Sequence, residues 1–186
     1  NSACTETTNA TDLFISEVYD AESGDGGAIE LYNGTNATID LSLYRIKRYA
    51  TITGTTATID VALSGTIAQG DTEIARTTTV VCGLSNTPVL TTGFNDSDRI
   101  ELVKNNLVVI DVLNTPNNVG FTMIRNANAA VPSGTYNAAD WAISNTESCT
   151  NLGIHTMNTI PNTTAVTVQP SSTSACENST ATFGVT

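Results

Sequence analysis

Thirty-three of the 186 residues are threonine and 19 are asparagine, against two lysines and two glutamines. No other feature restricts the fold as much. β-Branched Thr loses side-chain freedom against the preceding helical turn, and Asn competes with the helix for its own backbone groups. A chain built this way is poor material for long helices. Its apolar residues must therefore be spaced for strands, and they are. In Leu13-Phe14-Ile15-Ser16-Glu17-Val18-Tyr19, residues Leu13, Ile15 and Tyr19 share one face. Ala28–Asn33 alternates again, with Ile29 and Leu31 inward and Glu30 outward. Ile39, Leu41 and Leu43 open a third stripe that runs on through Tyr44, Ile46 and Tyr49.

Further strands are expected at Thr58–Leu63, Glu73–Val81, Arg99–Val103, Leu107–Leu113, Phe121–Arg125 and Trp141–Ser144. Asn33-Gly34 is a strong turn dipeptide, and Lys104-Asn105-Asn106 reads as the tight turn of a hairpin. The one stretch resembling a helical turn is Asn137-Ala138-Ala139-Asp140. Short strands at intervals of about 8–12 residues, punctuated by Gly, Asn and Pro, are the pattern of an antiparallel β-sandwich. The fold class expected is all-β. Core positions expected from the periodicity are Ile15, Ile29, Leu31, Leu41, Leu43, Ile100 and Leu102.

The texture changes near Ile160. Ile160–Thr164 reads as a polar linker, and two short strand-like stretches follow up to Thr186. So short a piece cannot bury its own apolar faces. The division expected is an N-terminal lead over 1–11, a sandwich over 12–159, and a linker with the truncated start of a second domain over 160–186.

Charge limits the partners. Seven basic and 18 acidic residues leave a net charge of −11, which argues against nucleic acid or anionic lipid as a main partner. No apolar run reaches the roughly 18 residues of a membrane helix. No uncleaved signal peptide stands at the start, which fits either a mature exported protein or an excised piece. The scarcity of lysine favours an exported chain, secreted or at the cell surface.

The four cysteines, Cys4, Cys82, Cys149 and Cys176, lack the CxxC or Cys/His spacing of a zinc site and allow three pairings if all are oxidised. Cys82, inside Val80-Val81-Cys82, reads as a small buried hydrophobe. Cys4 and Cys149 flank the first domain. A bridge between them would close a long loop, contributing about 3–5 kcal/mol in the chain-entropy model. Cys176 is then left for a partner beyond residue 186.

Candidate sites are few. Asp20, Glu22 and Asp25 place three carboxylates in one Gly-rich loop, the weak candidates for a metal such as Ca²⁺, which takes 6–8 oxygen ligands. The EF-hand spacing is missing, so the plain expectation is a solvated acidic loop with no bound cofactor. Asp96-Ser97-Asp98 reads as an Asx-type turn. Glu17 and Glu30 fall on adjacent strands and could face one another as an acid/base pair; outward polar positions on half-buried strands explain both equally well. His155 stands without a G-x-S-x-G nucleophile elbow, so its ring is expected to cap a loop or pack at the sandwich edge. Trp141, with Tyr136 and Pro132 nearby, is expected in the core rather than as a sugar platform.

Several of these segments, in order, resemble the lamin tail domain. The likeness lies in Leu13–Val18, in Ala28–Thr35, in Ile39–Tyr44, and downstream in Asp98–Val103 and Val109–Val112. The ending is similar to that of the exported bacterial branch: Arg125, Pro132, Tyr136, Asn137, Asp140, Trp141, Cys149, Leu152, Gly153, His155 and Thr156. The likeness spans roughly residues 12–157. It implies an immunoglobulin-like β-sandwich, and the segment after Val166 resembles the entry of a bacterial Ig-like repeat. With no heptads, a filament role does not carry over. The function so implied is a non-catalytic spacer or interaction module of a secreted or cell-surface multidomain protein. Its partners would be neighbouring domains or extracellular proteins and glycans. The alternative implied is an accessory domain of an exported hydrolase, of nuclease or phosphatase type, binding Ca²⁺ or carbohydrate.

Overall fold

The computed structural model describes residues 6–84, 89–94, 96–158 and 160–162. Fourteen strands follow in chain order among them. They are β1 (Glu6–Thr8), β2 (Phe14–Asp20), β3 (Gly27–Tyr32), β4 (Ile39–Asp40), β5 (Tyr44–Tyr49), β6 (Ile59–Ala62) and β7 (Thr66–Ile67). Then come β8 (Thr72–Thr77), β9 (Val89–Leu90), β10 (Arg99–Lys104), β11 (Val108–Asn114), β12 (Phe121–Arg125), β13 (Trp141–Ser144) and β14 (Ile160–Asn162). Two single 3-10 turns, Leu41–Leu43 and Ala138–Asp140, are the helical content of the described residues. No described helix is long and apolar enough to cross a membrane.

A six-stranded sheet, in the order β13-β12-β2-β3-β8-β9, packs on a four-stranded sheet, β11-β10-β5-β6. Pairing is antiparallel throughout the two sheets except for the short β8–β9 contact. Leu13, Ile15, Val18, Ile29 and Leu31 meet Tyr44, Ile46, Ile100, Leu102 and Leu113 between the layers, all buried. Each such side chain, fully removed from water, contributes about 1.5–3 kcal/mol. The antiparallel sandwich read from the periodicity is the architecture found. β4 and β7 form a separate small ladder.

Asn9–Ile160 makes one compact unit; Asn1–Thr8 and Pro161–Thr186 make another, in which the described part is the pairing of β1 with β14. The expected second Ig-like domain, with Cys176, lies outside the described residues, as does Cys4.

Local chemistry explains the turns. Asn105 and Asn106, in the turn closed by the Leu107 amide on the Lys104 carbonyl, both have positive φ, 53° and 60°, the primed-turn conformation that suits the twist of the flanking strands. Asn33 accepts from the Thr35 amide and donates to the carbonyls of Ala37 and Ile67. It ties the loop after β3 to β7. Ala138–Asp140 is capped by Asn137, whose side chain accepts from the Ala139 amide, so the expected helical turn is there.

Two strand assignments need correction. The stripe Ile39-Leu41-Leu43 is broken because Asp40 accepts from the Ser42 amide at 2.9 Å and winds Leu41–Leu43 into a 3-10 turn. Leu41 stays in the core, but Leu43 turns out to 44 % exposure. The strand expected over Glu73–Val81 stops at Thr77, whose hydroxyl donates to the Thr79 carbonyl and accepts from the Gly27 amide.

Candidate functional site

Between Ile15 and Glu17 the register of β2 against β3 slips by one residue, so Ser16 and Glu17 both stand opposite Glu30. This bulge redirects the strand. Leu13 and Ile15 point into the core before it and Val18 after it, which strict alternation would not allow. Its second effect is to set Glu17 directly across from Glu30, on the side of the six-stranded sheet that faces away from the core. The two acids face one another, as the adjacent strands suggested.

Neither acid is solvated. Glu17 is 1 % exposed and Glu30 is 0 %, which corrects the reading of Glu30 as an outward, wet position. Their cover is the segment after β13. Thr146 accepts through its carbonyl from the Thr122 hydroxyl, and the Ser148 amide donates back to the same hydroxyl. The chain then crosses to Gly153, whose amide donates to Glu30 Oε2 at 2.5 Å, while the next amide, of Ile154, donates to the Asn151 carbonyl at 3.0 Å within the strap. The Ser16 hydroxyl donates to Glu30 Oε1 at 2.6 Å. The Ser16 hydroxyl and the Gly153 amide pull the Glu30 pKa down, but burial outweighs them and pushes it up. Glu17 has no hydrogen-bond partner for either oxygen among the described residues. Burial first, and then the Glu30 charge, push its pKa up to about 8. Of two carboxyls sharing a dry site, one ionises and the other keeps its proton.

The covering segment is anchored at both ends. Cys149 is bonded to Cys82 across 67 residues. This overturns two expectations at once: Cys149 does not pair with Cys4, and Cys82 is a half-buried bridge partner, not a buried hydrophobe. Physically, β8 ends four residues before the Val81–Leu84 turn, which carries Cys82 and Gly83 at positive φ and brings Cys82 to the strap. At the far end the ring of His155 packs edge-on against Phe14 and Tyr32, with centroids 5.6 and 4.8 Å away. Burial, then the nearby Arg125 charge, lower its pKa to about 4, so the ring is neutral at ordinary pH. It packs against the inner strands β2 and β3 of the six-stranded sheet, not at the sandwich edge.

The acidic loop does not converge. Asp20 turns inward, 2 % exposed, and its Oδ2 accepts from the Gly120 amide at 3.1 Å. Burial raises its pKa to about 6 against the pull of that hydrogen bond. Glu22 is tied through its backbone amide to the Glu147 carboxylate, which also accepts from the Tyr19 hydroxyl at 2.9 Å. Asp25 packs its backbone against Gly93. Among the described residues no three His, Cys, Asp or Glu side chains are grouped to hold a metal ion.

Two buried ion pairs escaped the sequence reading. Asp111 on β11 and Arg125 on β12 meet at 2.6 Å across the two sheets. Asp111 also accepts from the amides of Ile15 and Ser133. Arg125 donates in addition to the carbonyls of Ile15, Ala129 and Val131, and its guanidinium lies 4.9 Å from the Phe14 ring and 5.4 Å from that of Trp141. Arg48 on β5 holds Asp98 at 2.6 Å, so the second Asp of Asp96-Ser97-Asp98 ends a turn as a buried partner. The signal available was a lone charge inside an apolar strand, which is costly unless paired. Trp141 belongs to the core, with Tyr136 packed against it.

Comparison with known families places this geometry. The family model of the lamin tail domain matches residues 6–117, the span that supplies the whole four-stranded sheet and β2, β3, β8 and β9 of the other. No curated protein and no solved structure matched. The bulged β2, the β3 strand that carries Glu30 and the β10–β11 hairpin bearing Asp111 all fall inside the matched span. The chain belongs to the lamin tail domain family, an immunoglobulin-like β-sandwich.

Proposed function

We propose that the chain is a non-catalytic β-sandwich module of an exported, multidomain protein, secreted or held at the cell surface, that spaces, displays or docks the domains beside it. The observation that carries this reading is the Cys82–Cys149 disulfide, a bond that persists in oxidising compartments and is rare in the cytosol. Support for the non-catalytic part comes from how the reactive side chains are spent. Asp111 and Arg125 clamp the sheets, Glu30 seats the strap, and the His155 ring is packed on two aromatics. Neighbouring domains and extracellular proteins or glycans are the partners this role implies.

The test is to produce the chain in an oxidising and in a reducing compartment and to count free thiols by mass spectrometry after alkylation. The proposal expects Cys82 and Cys149 to be protected in the first and the folded yield to drop in the second. It expects no turnover of nucleic acid or phosphate-ester substrates. Equal folding with both thiols free, or turnover abolished by changing Glu17 or His155, overturns it.

A further inference from the structure

The acid pair lies between the sheet and a strap tethered by the Cys82–Cys149 bond and the packed His155 ring. The strap's Gly153 amide is spent on Glu30, and the strap crosses from Thr122 on β12 to Glu30 on β3. Glu17 sits between these two strands, opposite Ile124 on one side and Glu30 on the other. Its two oxygens are buried, with no hydrogen-bond partner among the described residues. A second negative charge at that place has no donor to receive it and faces the Glu30 carboxylate directly.

We propose that the strap Ser148–Ile154 is an acid-locked cover: it lies on the sheet while Glu17 keeps its proton, and it lifts as that proton is lost, uncovering the acid pair. Lifting lets water reach both carboxylates and relieves their repulsion. The Cys82–Cys149 bond and the packed His155 ring act as tethers, so the movement is local.

The other charged groups around the pair do not compensate it. On β8, Arg76 stands opposite Ala28, on the Glu30 side of the sheet, and its guanidinium donates to the carbonyls of Thr77 and Thr78. On β12 the position facing Glu17 is Ile124, and the neighbouring Arg125 is engaged by Asp111. Next along β2, Tyr19 is bonded to Glu147 of the strap's root, and Asp20 turns inward to Gly120. From the strap itself His155 is neutral above about pH 4. Among the described residues Glu30 is the charge that acts on Glu17, and it raises its pKa, as burial does.

The sign follows from linkage. With Glu17 raised from its ordinary 4.5 to about 8, the closed strap binds a proton that the open one releases. The cover is then fully seated below about pH 4.5, loosens as pH rises, and has lost this contribution above about pH 8. Amide exchange of Gly153, normalised for intrinsic rates and read by NMR between pH 5 and 8, tests it. The protection of Gly153 is expected to fall by up to about tenfold per pH unit. It should stay below that of Leu102 in the core strand β10 at every pH and be insensitive to low urea, as a local opening must be. In Glu17→Gln the decline disappears. A Gly153 protection that is flat with pH, that equals that of Leu102, or that falls equally in Glu17→Gln overturns the proposal. Should the variant fail to fold, the wild-type comparison of Gly153 with Leu102 decides alone.

Discussion

The clamp between the two sheets can be given a magnitude. Asp111 Oδ2 accepts from Arg125 at 2.6 Å and from the Ile15 amide at 2.9 Å, while Oδ1 accepts from the Ser133 amide at 3.0 Å. Asp111→Ala removes all three acceptor contacts. It leaves a guanidinium that is 3 % exposed without its counter-charge, and breaking one side of a buried pair in this way costs about 3–5 kcal/mol. The two orphaned amides add about 1–3 kcal/mol each where water does not reach them. Entry of water into the vacated site offsets part of this. A loss of about 4–6 kcal/mol is therefore expected, and at about 2–4 °C per kcal/mol for a domain of this size the midpoint falls by about 10–20 °C.

Urea unfolding followed by Trp141 fluorescence is the assay, since the Trp141 ring lies 5.4 Å from the Arg125 guanidinium. An unchanged m-value is required for the difference to be read as stability. The double variant Asp111→Leu/Arg125→Met tests the cause. If the cost comes from stranding one charge, removing both should recover much of it. A single-variant loss below about 1 kcal/mol would put the pair in the range of exposed salt bridges and refute the reasoning.

Three further outcomes are expected. Cys149→Ser removes a bridge spanning 67 residues, worth about 4 kcal/mol in the chain-entropy model; thermal melts of the variant and of the reduced wild type should then coincide. Asp20→Asn keeps an acceptor for the Gly120 amide but deletes the titration. The stability that wild-type Asp20 contributes is present below pH 3.8 and lost as pH rises through about 6. Melts of the two proteins should accordingly diverge on acidification, by no more than about 3 kcal/mol at pH 4, the full value of a shift of about 2 pH units. Leu41→Ala should cost about 2–5 kcal/mol by denaturant titration, and Leu43→Ala less than about 0.5 kcal/mol, although both were read as core from the same stripe.

That last contrast shows where a sequence of this kind is readable. Alternation located β3, β5, β6, β10, β11, β12 and β13 because each has one face against the other sheet, and the buried aliphatics repeat at period two; in β2 the repeat holds only up to the bulge, so Val18 and not Tyr19 joins the core. The hairpin at Asn105-Asn106 was equally plain, since its positive φ values call for the residues found there. Periodicity misled at Leu43, where one capping carboxylate, Asp40, converts a strand step into a 3-10 turn. The bulge at Ser16 left no mark in composition at all. It is a register slip between two strands, and a single strand read alone cannot show it.

The acid pair was half legible for the same reason. Adjacent strands were enough to bring Glu17 and Glu30 opposite one another, but their environment is set by residues more than 110 positions away, at Ser148–Ile154. Nothing in the local alternation distinguishes a polar residue that faces water from one that faces a strap. The strap's position in turn depends on which cysteine Cys149 chooses, and loop entropy alone would permit Cys4 as readily as Cys82. The choice follows from β8 stopping at Thr77, after which the turn at Val81–Leu84 presents Cys82. A local stop in one strand thereby fixes the bridge, the bridge fixes the cover, and the cover turns two glutamates on the outer face of the sheet into a buried pair, with the Glu17 pKa pushed up to about 8.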